Sequence, residues 1–181
     1  MEWLVTLLLV IWIMLPAYVP NNAAVLAGGG LPIDGGRTWR GKRILGDGKT
    51  WRGTIVGIGV GIAVALVLNA LNDPVSSLLS IDIPPFSWGI IVAFPTGALL
   101  GDIAASFLKR RTGRKRGTMF PLVDQLDFVV IALLLGAIVD WQWMTETFTL
   151  LLFVLVLVLT PIFHIATNMI AFKIGVKNEP W

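Results

Sequence analysis

The sequence contains no cysteine and a single histidine, His164, among its 181 residues. The first absence excludes a disulfide framework and thiol chemistry. The second excludes a multi-histidine metal site within one chain. Charge is also scarce: 14% of residues are Asp, Glu, Lys or Arg, against 56% hydrophobic. No Ser-rich or low-complexity tract is present. That is the composition of an integral membrane protein rather than of a soluble domain, and no nucleic-acid partner is expected of it.

Five apolar stretches are long enough to cross a bilayer at helical rise: Trp3–Val19, Thr54–Leu71, Trp88–Phe107, Pro121–Val139 and Phe148–Phe172. The few cations are concentrated between them. Six lie in the Pro20–Gly53 connection, six between Lys109 and Arg116, and two in the C-terminal tail, which accounts for all 14 Lys and Arg. The N-terminus and the other connections carry only acids: Glu2, Asp73, Asp82, Asp140 and Glu146. This alternation predicts an all-α membrane protein, one polytopic domain over residues 1–181. It has five spans, its N-terminus outside and its C-terminus in the cytoplasm of a cell membrane. Met-Glu precedes the first span and the cations follow it, which favours a retained anchor over a cleaved signal. Trp3, Trp88, Trp141 and Trp143 are expected at the outer interface, and Trp39, Trp51 and Trp181 at or beyond the inner one.

Two spans carry small residues every four positions: Gly53, Gly57 and Gly61, then Gly97, Gly101 and Ala105. Such faces let helix backbones approach closely. Packing within the chain is the expected use, and a homodimer face is the alternative.

The fourth span is too short as a purely apolar segment. Phe128–Val139 covers 12 residues, about 18 Å of helix, against a hydrocarbon core of about 30 Å. The helix is expected to recruit Pro121 to Asp127, with Pro121 at a first helical position. Asp124 and Asp127, three apart, then share a face at the inner membrane edge. Asp102, near the end of the third span, arrives at similar depth. Two readings follow. The acids neutralise the neighbouring cations, or they hold a divalent cation while the cations hold phosphates. The excess of basic residues favours the second, and magnesium, as one or two ions, suits carboxylates that bridge to substrate phosphates.

The first connection supplies more phosphate ligands. Gly46-Asp47-Gly48-Lys49-Thr50 looks like a Walker A loop but lacks glycine where Arg43 stands, and no strand precedes it. Lys49 is still a point-charge ligand, and Arg43 and Arg52 offer two-pronged guanidinium groups. In the last span Pro161 predicts a kink, and His164, Thr167 and Asn168 follow on one face. These side chains serve either hydrogen bonding between helices or the lining of a cavity.

Taken together, "NNAAVLAGGGLPID", "GDGKTWRG", "GDIAASFLKRRTGRKRG", "FPLVDQLDF" and "HIATNMIAFKIGVKNEPW" resemble the archaeal CDP-archaeol synthase family. A more distant likeness is to CDP-diacylglycerol synthases, whose signature is similar to Gly101-Asp102, Ser106, Lys109-Arg110, Pro121 and Asp124/Asp127. The Gly-His-Gly-Gly segment of that larger family is missing, so no histidine role is carried over. The resemblance implies a cytidylyltransferase that joins CTP to an unsaturated ether lipid phosphate from the inner leaflet, releasing pyrophosphate. It implies Asp102, Asp124, Asp127 and Lys109 as catalytic residues, with the three aspartates on the metal. Asn22, Arg43, Lys49, Arg52, Ser106, Arg110, Arg111, Lys115, His164 and Asn168 are the expected substrate-binding residues.

Two other functions share some of these features. A small transporter or channel has intramembrane acids, but at the midplane rather than at one edge. A CDP-alcohol phosphatidyltransferase should show D-G-x-x-A-R followed by G-x-x-x-D-x-x-x-D, which does not occur here.

Overall fold

A computed structural model describes residues 2–113 and 121–175. Six helices follow in order: α1 (Glu2–Leu26), α2 (Trp51–Leu79), α3 (Trp88–Arg111), α4 (Val123–Val139), the short α5 (Trp141–Thr147) and α6 (Leu150–Lys173). Between α1 and α2 lies a small antiparallel hairpin, β1 (Thr38–Trp39) and β2 (Lys42–Arg43), the only sheet among the described residues. Four helices, α1, α2, α3 and α6, are long and apolar enough to cross a membrane. Their outward faces are exposed leucine, isoleucine and valine, as befits a surface solvated by lipid.

Several element ends differ from the sequence expectation. The first helix runs on through Pro20, Asn21 and Asn22 to Leu26, so Asn22 is helical rather than in the connection. Pro16 and Pro20 are fully buried, tolerated because neighbouring helices cover the ring. Pro121 does not start α4. The N-cap is Leu122, which has a positive φ of 65° and donates its N–H to Gln125 Oε1 at 3.1 Å. The connection after α4 forms α5, whose N-cap Asp140 accepts from Trp143 N at 3.0 Å. Trp143 faces the interior of the bundle. It is 8% exposed, donates to Pro85 O at 2.7 Å and packs against Phe86, Phe94 and Phe148. A nearby acid that caps its helix turned it inward.

The glycine stripes are consumed inside the chain. A Cβ at Gly97 would lie 2.6 Å from Ala132 Cα, and one at Gly101 would collide with the backbone of Asp127 and Phe128. This lets α3 press directly on α4, its most extensive partner. At Gly57 a Cβ would lie 2.7 Å from Pro20 O, and at Gly61 2.6 Å from Pro95 Cβ, which seats α2 on α1 and α3. Neither stripe is left free for a second copy. By contrast α6 packs only against α4 and α1 among the described elements.

Candidate active site

The α3–α4 contact is what places the acids. Because Gly101 allows α4 to lie against α3 at Asp127, Asp102 and Asp127 come to the same depth, and Asp124 follows one turn nearer the helix start. All three carboxylates line a single cavity of about 520 Å³ between α1, α4 and α6, a size ordinary for a small-molecule site. Lys49, Asn22, His164 and Asn168 line the same cavity. Seven of the expected residues thus converge from α1, α3, α4, α6 and the loop before α2.

The acids are not isolated. Lys49 is ion-paired with Asp102. Lys109 Nζ lies 2.6 Å from Asp124 Oδ1 and 2.7 Å from Oδ2. Asp102, Asp124 and Lys49 all lie within electrostatic range of the Asp127 carboxylate. The neutralising pairs considered from the sequence therefore exist, and they involve lysines that could equally grip a phosphate. Among the described residues no three His, Asp or Glu side chains form a cluster that could hold a metal. Lysine pairing draws Asp102 and Asp124 toward their partners instead. The donor set is nevertheless of the kind a hard divalent cation takes, carboxylate oxygens with no sulfur.

Lys49 reaches the cavity because its loop is built around Asp34. This residue is 7% exposed. It accepts from the N–H groups of Gly36 (3.1 Å), Leu45 (3.0 Å) and Gly46 (3.1 Å), and from Arg43 Nε (3.3 Å) and Nη2 (2.8 Å). The Arg43 guanidinium above all, and then these amides, hold its carboxyl well below the usual carboxylate range. Lys49 N donates to Gly46 O at 3.2 Å and Ile33 N to Lys49 O at 2.8 Å. Thr50 then caps α2 by accepting from Gly53 N at 3.1 Å. The Walker-like segment is thus a bracket for Lys49.

Other expected ligands are committed to scaffolding. Arg43 joins Asp34 to Asp47, the latter at 2.6 Å. Arg52 donates to the carbonyls of Ala27 and Gly28 beyond α1. Arg111 donates to the carbonyls of Trp39 (2.8 Å), Lys42 (3.2 Å) and Arg43 (2.8 Å), and its guanidinium lies 5.1 Å from the Trp39 ring centre. Trp39 itself stacks on Phe107 at 6.0 Å. Arg110 Nε donates to Leu45 O at 3.3 Å. Ser106 is half-buried on α3 and is not among the cavity residues. Lys115 lies outside the described residues.

The cavity also has residues the sequence reading passed over. Tyr18 and Thr160 meet across α1 and α6 at 2.9 Å. Thr160 Oγ1 donates to Val156 O at 2.6 Å, so Tyr18 is the donor between the two hydroxyls. Asn21 Oδ1 is buried and has no hydrogen-bond partner among the described residues, although it lines the cavity. A buried acceptor of this kind is rare without a ligand to satisfy it. Asn168, 3% exposed, lies with Nδ2 3.3 Å from Nε2 and 3.4 Å from Nδ1 of His164. Their contact lies within α6 rather than between helices, and both side chains line the cavity. The signal was the four-residue spacing of Tyr18 from Asn22 and of Asn21 from Val25, hidden because α1 was read as ending at Val19.

Over residues 3–181 the chain matches the family described as CarS-like, CDP-archaeol synthase. It belongs to that family. CDP-archaeol synthases from Halorubrum lacusprofundi and Halobacterium salinarum are 59% and 57% identical to it. The alignments cover 94% of this chain and 94% of the first relative, and 100% of both chains for the second. The Haloarcula marismortui synthase is 59% identical, again over 100% of both chains. A solved structure, described as an intramembrane enzyme for archaeal membrane lipid biosynthesis, superposes with a TM-score of 0.69 at 33% identity. It covers 88% of this chain and 92% of that one. Membership in a synthase family sets aside the transporter and phosphatidyltransferase readings.

Proposed function

We propose that this CDP-archaeol synthase family member is a CTP-dependent cytidylyltransferase that activates an archaeal ether lipid phosphate to CDP-archaeol with release of pyrophosphate. The observation that carries the reading is the convergence of Asp102, Asp124, Asp127 and Lys49 on one cavity, with Lys109 on its Asp124 wall. An unprotonated lipid phosphate oxygen attacks the α-phosphorus of CTP. The new P–O bond forms as the bond to the β-phosphate bridging oxygen breaks, and pyrophosphate leaves with that electron pair. Two polyanions must meet, so the problem is electrostatic and positional.

Lys49 and Lys109 exchange their carboxylate partners for phosphate oxygens when substrate arrives, which supplies charge where it develops. The nucleophile is already ionised, so neither a thiol nor a strong general base is required. Magnesium would be held by Asp127 together with Asp102 and Asp124 once these two are released from Lys49 and Lys109, and it would neutralise phosphate charge there. Arg110, next to Lys109 in sequence, would serve as a further phosphate ligand by exchanging its bond to the Leu45 carbonyl.

The membrane frame follows the charge pattern: α4, with 17 residues and about 26 Å long, completes five spans. In this frame the cavity mouth faces the cytoplasm, where CTP is available. The test is pyrophosphate release by purified protein offered each ribonucleoside triphosphate with a lipid phosphate acceptor, with and without EDTA. CTP-selective, acceptor-dependent, EDTA-sensitive release is expected. Release independent of the acceptor would overturn it.

A further inference from the structure

Two apolar surfaces adjoin the acidic site, and they are not equivalent. One is the deep part of the cavity itself. On α1 the lining residues Ile11, Leu15, Tyr18, Asn22 and Val25 recur every three or four positions, one helix face. From Ile11 to Val25 that face extends about 21 Å at helical rise. The other surface is a shallow groove of about 390 Å³ on the opposite side of α4, walled by Ala104, Leu108, Leu126 and Val130. Asp127 borders both.

We infer that the lipid phosphate reaches the site sideways through the seam between α1 and α6, with one chain lying along Ile11, Leu15 and Val19. This rests on the cytidylyltransferase reading and adds where its second substrate sits. Three observations carry it.

The cavity is amphiphilic in the sense the substrate requires: lysines and carboxylates at the cytoplasmic end, aliphatic side chains toward the bilayer interior. Among the described residues Asp127 is the one charged side chain of the α3–α4 groove, and no cation lines it.

The opening is on the α1–α6 side. Along the seam Ile11, Leu15 and Val19 of α1 and Phe163 of α6 are partly exposed, and Asn22, Val25 and Thr167 are exposed at its mouth, whereas the α4 wall is closed by Phe128, 5% exposed. Finally, α6 is the least held of the four long apolar helices, packed only on α4 and α1 among the described elements. The Tyr18–Thr160 hydrogen bond ties it to α1 across the cavity. Parting these two helices exchanges that hydroxyl contact and separates the rings of Tyr18 and Phe163, whose centres lie 6.3 Å apart.

The experiment uses the wild-type protein in nanodiscs with a lipid phosphate that carries a diazirine in one chain. Irradiation is followed by peptide mapping, with and without excess unlabelled lipid phosphate. Adducts suppressed by the competitor are expected on Leu15, Val19 or Phe163. Competable adducts on Ala104, Leu126 or Val130, or no competable adducts at all, overturn the inference. Pyrophosphate release measured on the same sample reports the underlying reaction separately, so a failed seat and a failed function are told apart.

A second arm uses Leu15→Trp, which fills the deep end, and Ala104→Trp, which fills the outer groove. Leu15→Trp is expected to raise the lipid KM about tenfold, the scale of overpacking an apolar site, and to leave the CTP KM unchanged. Ala104→Trp is expected to change neither, and the reverse pattern also overturns the inference.

Discussion

Lys109 at the end of α3 and Asp124 in the first turn of α4 are joined through both carboxylate oxygens, at 2.6 and 2.7 Å. This pair closes the acidic wall of the cavity and holds together two helix ends whose connecting residues are strongly basic. Replacing Lys109 by Met should lower turnover about 100-fold or more, the scale of losing one preorganised charge in an active site. A partly exposed pair contributes little to folding, so the melting temperature should change by only a few degrees. Turnover and thermal unfolding of the same preparation check both halves.

Asp127 contributes no salt bridge among those resolved, so its charge is expected to serve chemistry rather than assembly. Asp127→Asn should abolish pyrophosphate release while the protein still inserts and unfolds at a near-normal temperature. EDTA should silence the wild type in the same assay, and added magnesium should restore it. Near-normal turnover by the variant at saturating magnesium would remove Asp127 from the essential groups.

Asn21 presents an unsatisfied acceptor to the cavity. CTP carries hydroxyl and amino donors, whereas an ionised lipid phosphate headgroup carries none. Asn21→Ala should therefore raise the KM for CTP, by about tenfold for one lost hydrogen bond to a buried group, with the lipid KM unmoved. Steady-state kinetics with each substrate varied in turn decides it.

Gly101 is the point of closest approach between α3 and α4. Gly101→Val should destabilise the protein by about 1–3 kcal/mol or more, because the added carbons meet backbone at Asp127 and Phe128 that cannot move aside. Gly59→Ala, on α2 with open space around the new methyl, should be neutral or stabilising by about 0.5–1 kcal/mol. Thermal unfolding of the two variants in one detergent provides the comparison.

Asp34 gives the loop a defined acid response. Its carboxyl is held below the usual range in the folded protein, chiefly by Arg43. Stabilisation from a depressed pKa is fully present above the unfolded-state value of about 3.9 and is lost as pH falls through the folded value. The gap in melting temperature between wild type and Asp34→Asn should therefore be constant from about pH 5 to 8 and narrow only below about pH 4. A gap that narrows near neutrality would show that another group controls the loop.

Much of this protein is written along one dimension. Hydropathy and the grouping of cations mark the helices, because a bilayer demands apolar runs of fixed length whatever the neighbours are. Asp124 and Asp127 had to share a face once the fourth helix was recognised as too short without them, and Asp102 followed from antiparallel geometry. The helix ends were less legible. Pro20 reads as a stop in isolation, yet α1 continues through it because α2 and α3 cover the ring, and this extension brings Asn21 and Asn22 into the cavity.

Only the tertiary structure decided which cations face that cavity. Lys49 and Lys109 meet acids there, while Arg43, Arg52 and Arg111 are drawn to a buried carboxylate or to carbonyls after α1 and in the β1–β2 hairpin. The sequence by itself determined that basic and acidic residues would meet at one end of the helices. Their division into scaffold and site depended on distances of a few ångströms between segments far apart in the chain. Composition carries the sign of a charge, but its partner is selected by where packing leaves an unsatisfied oxygen.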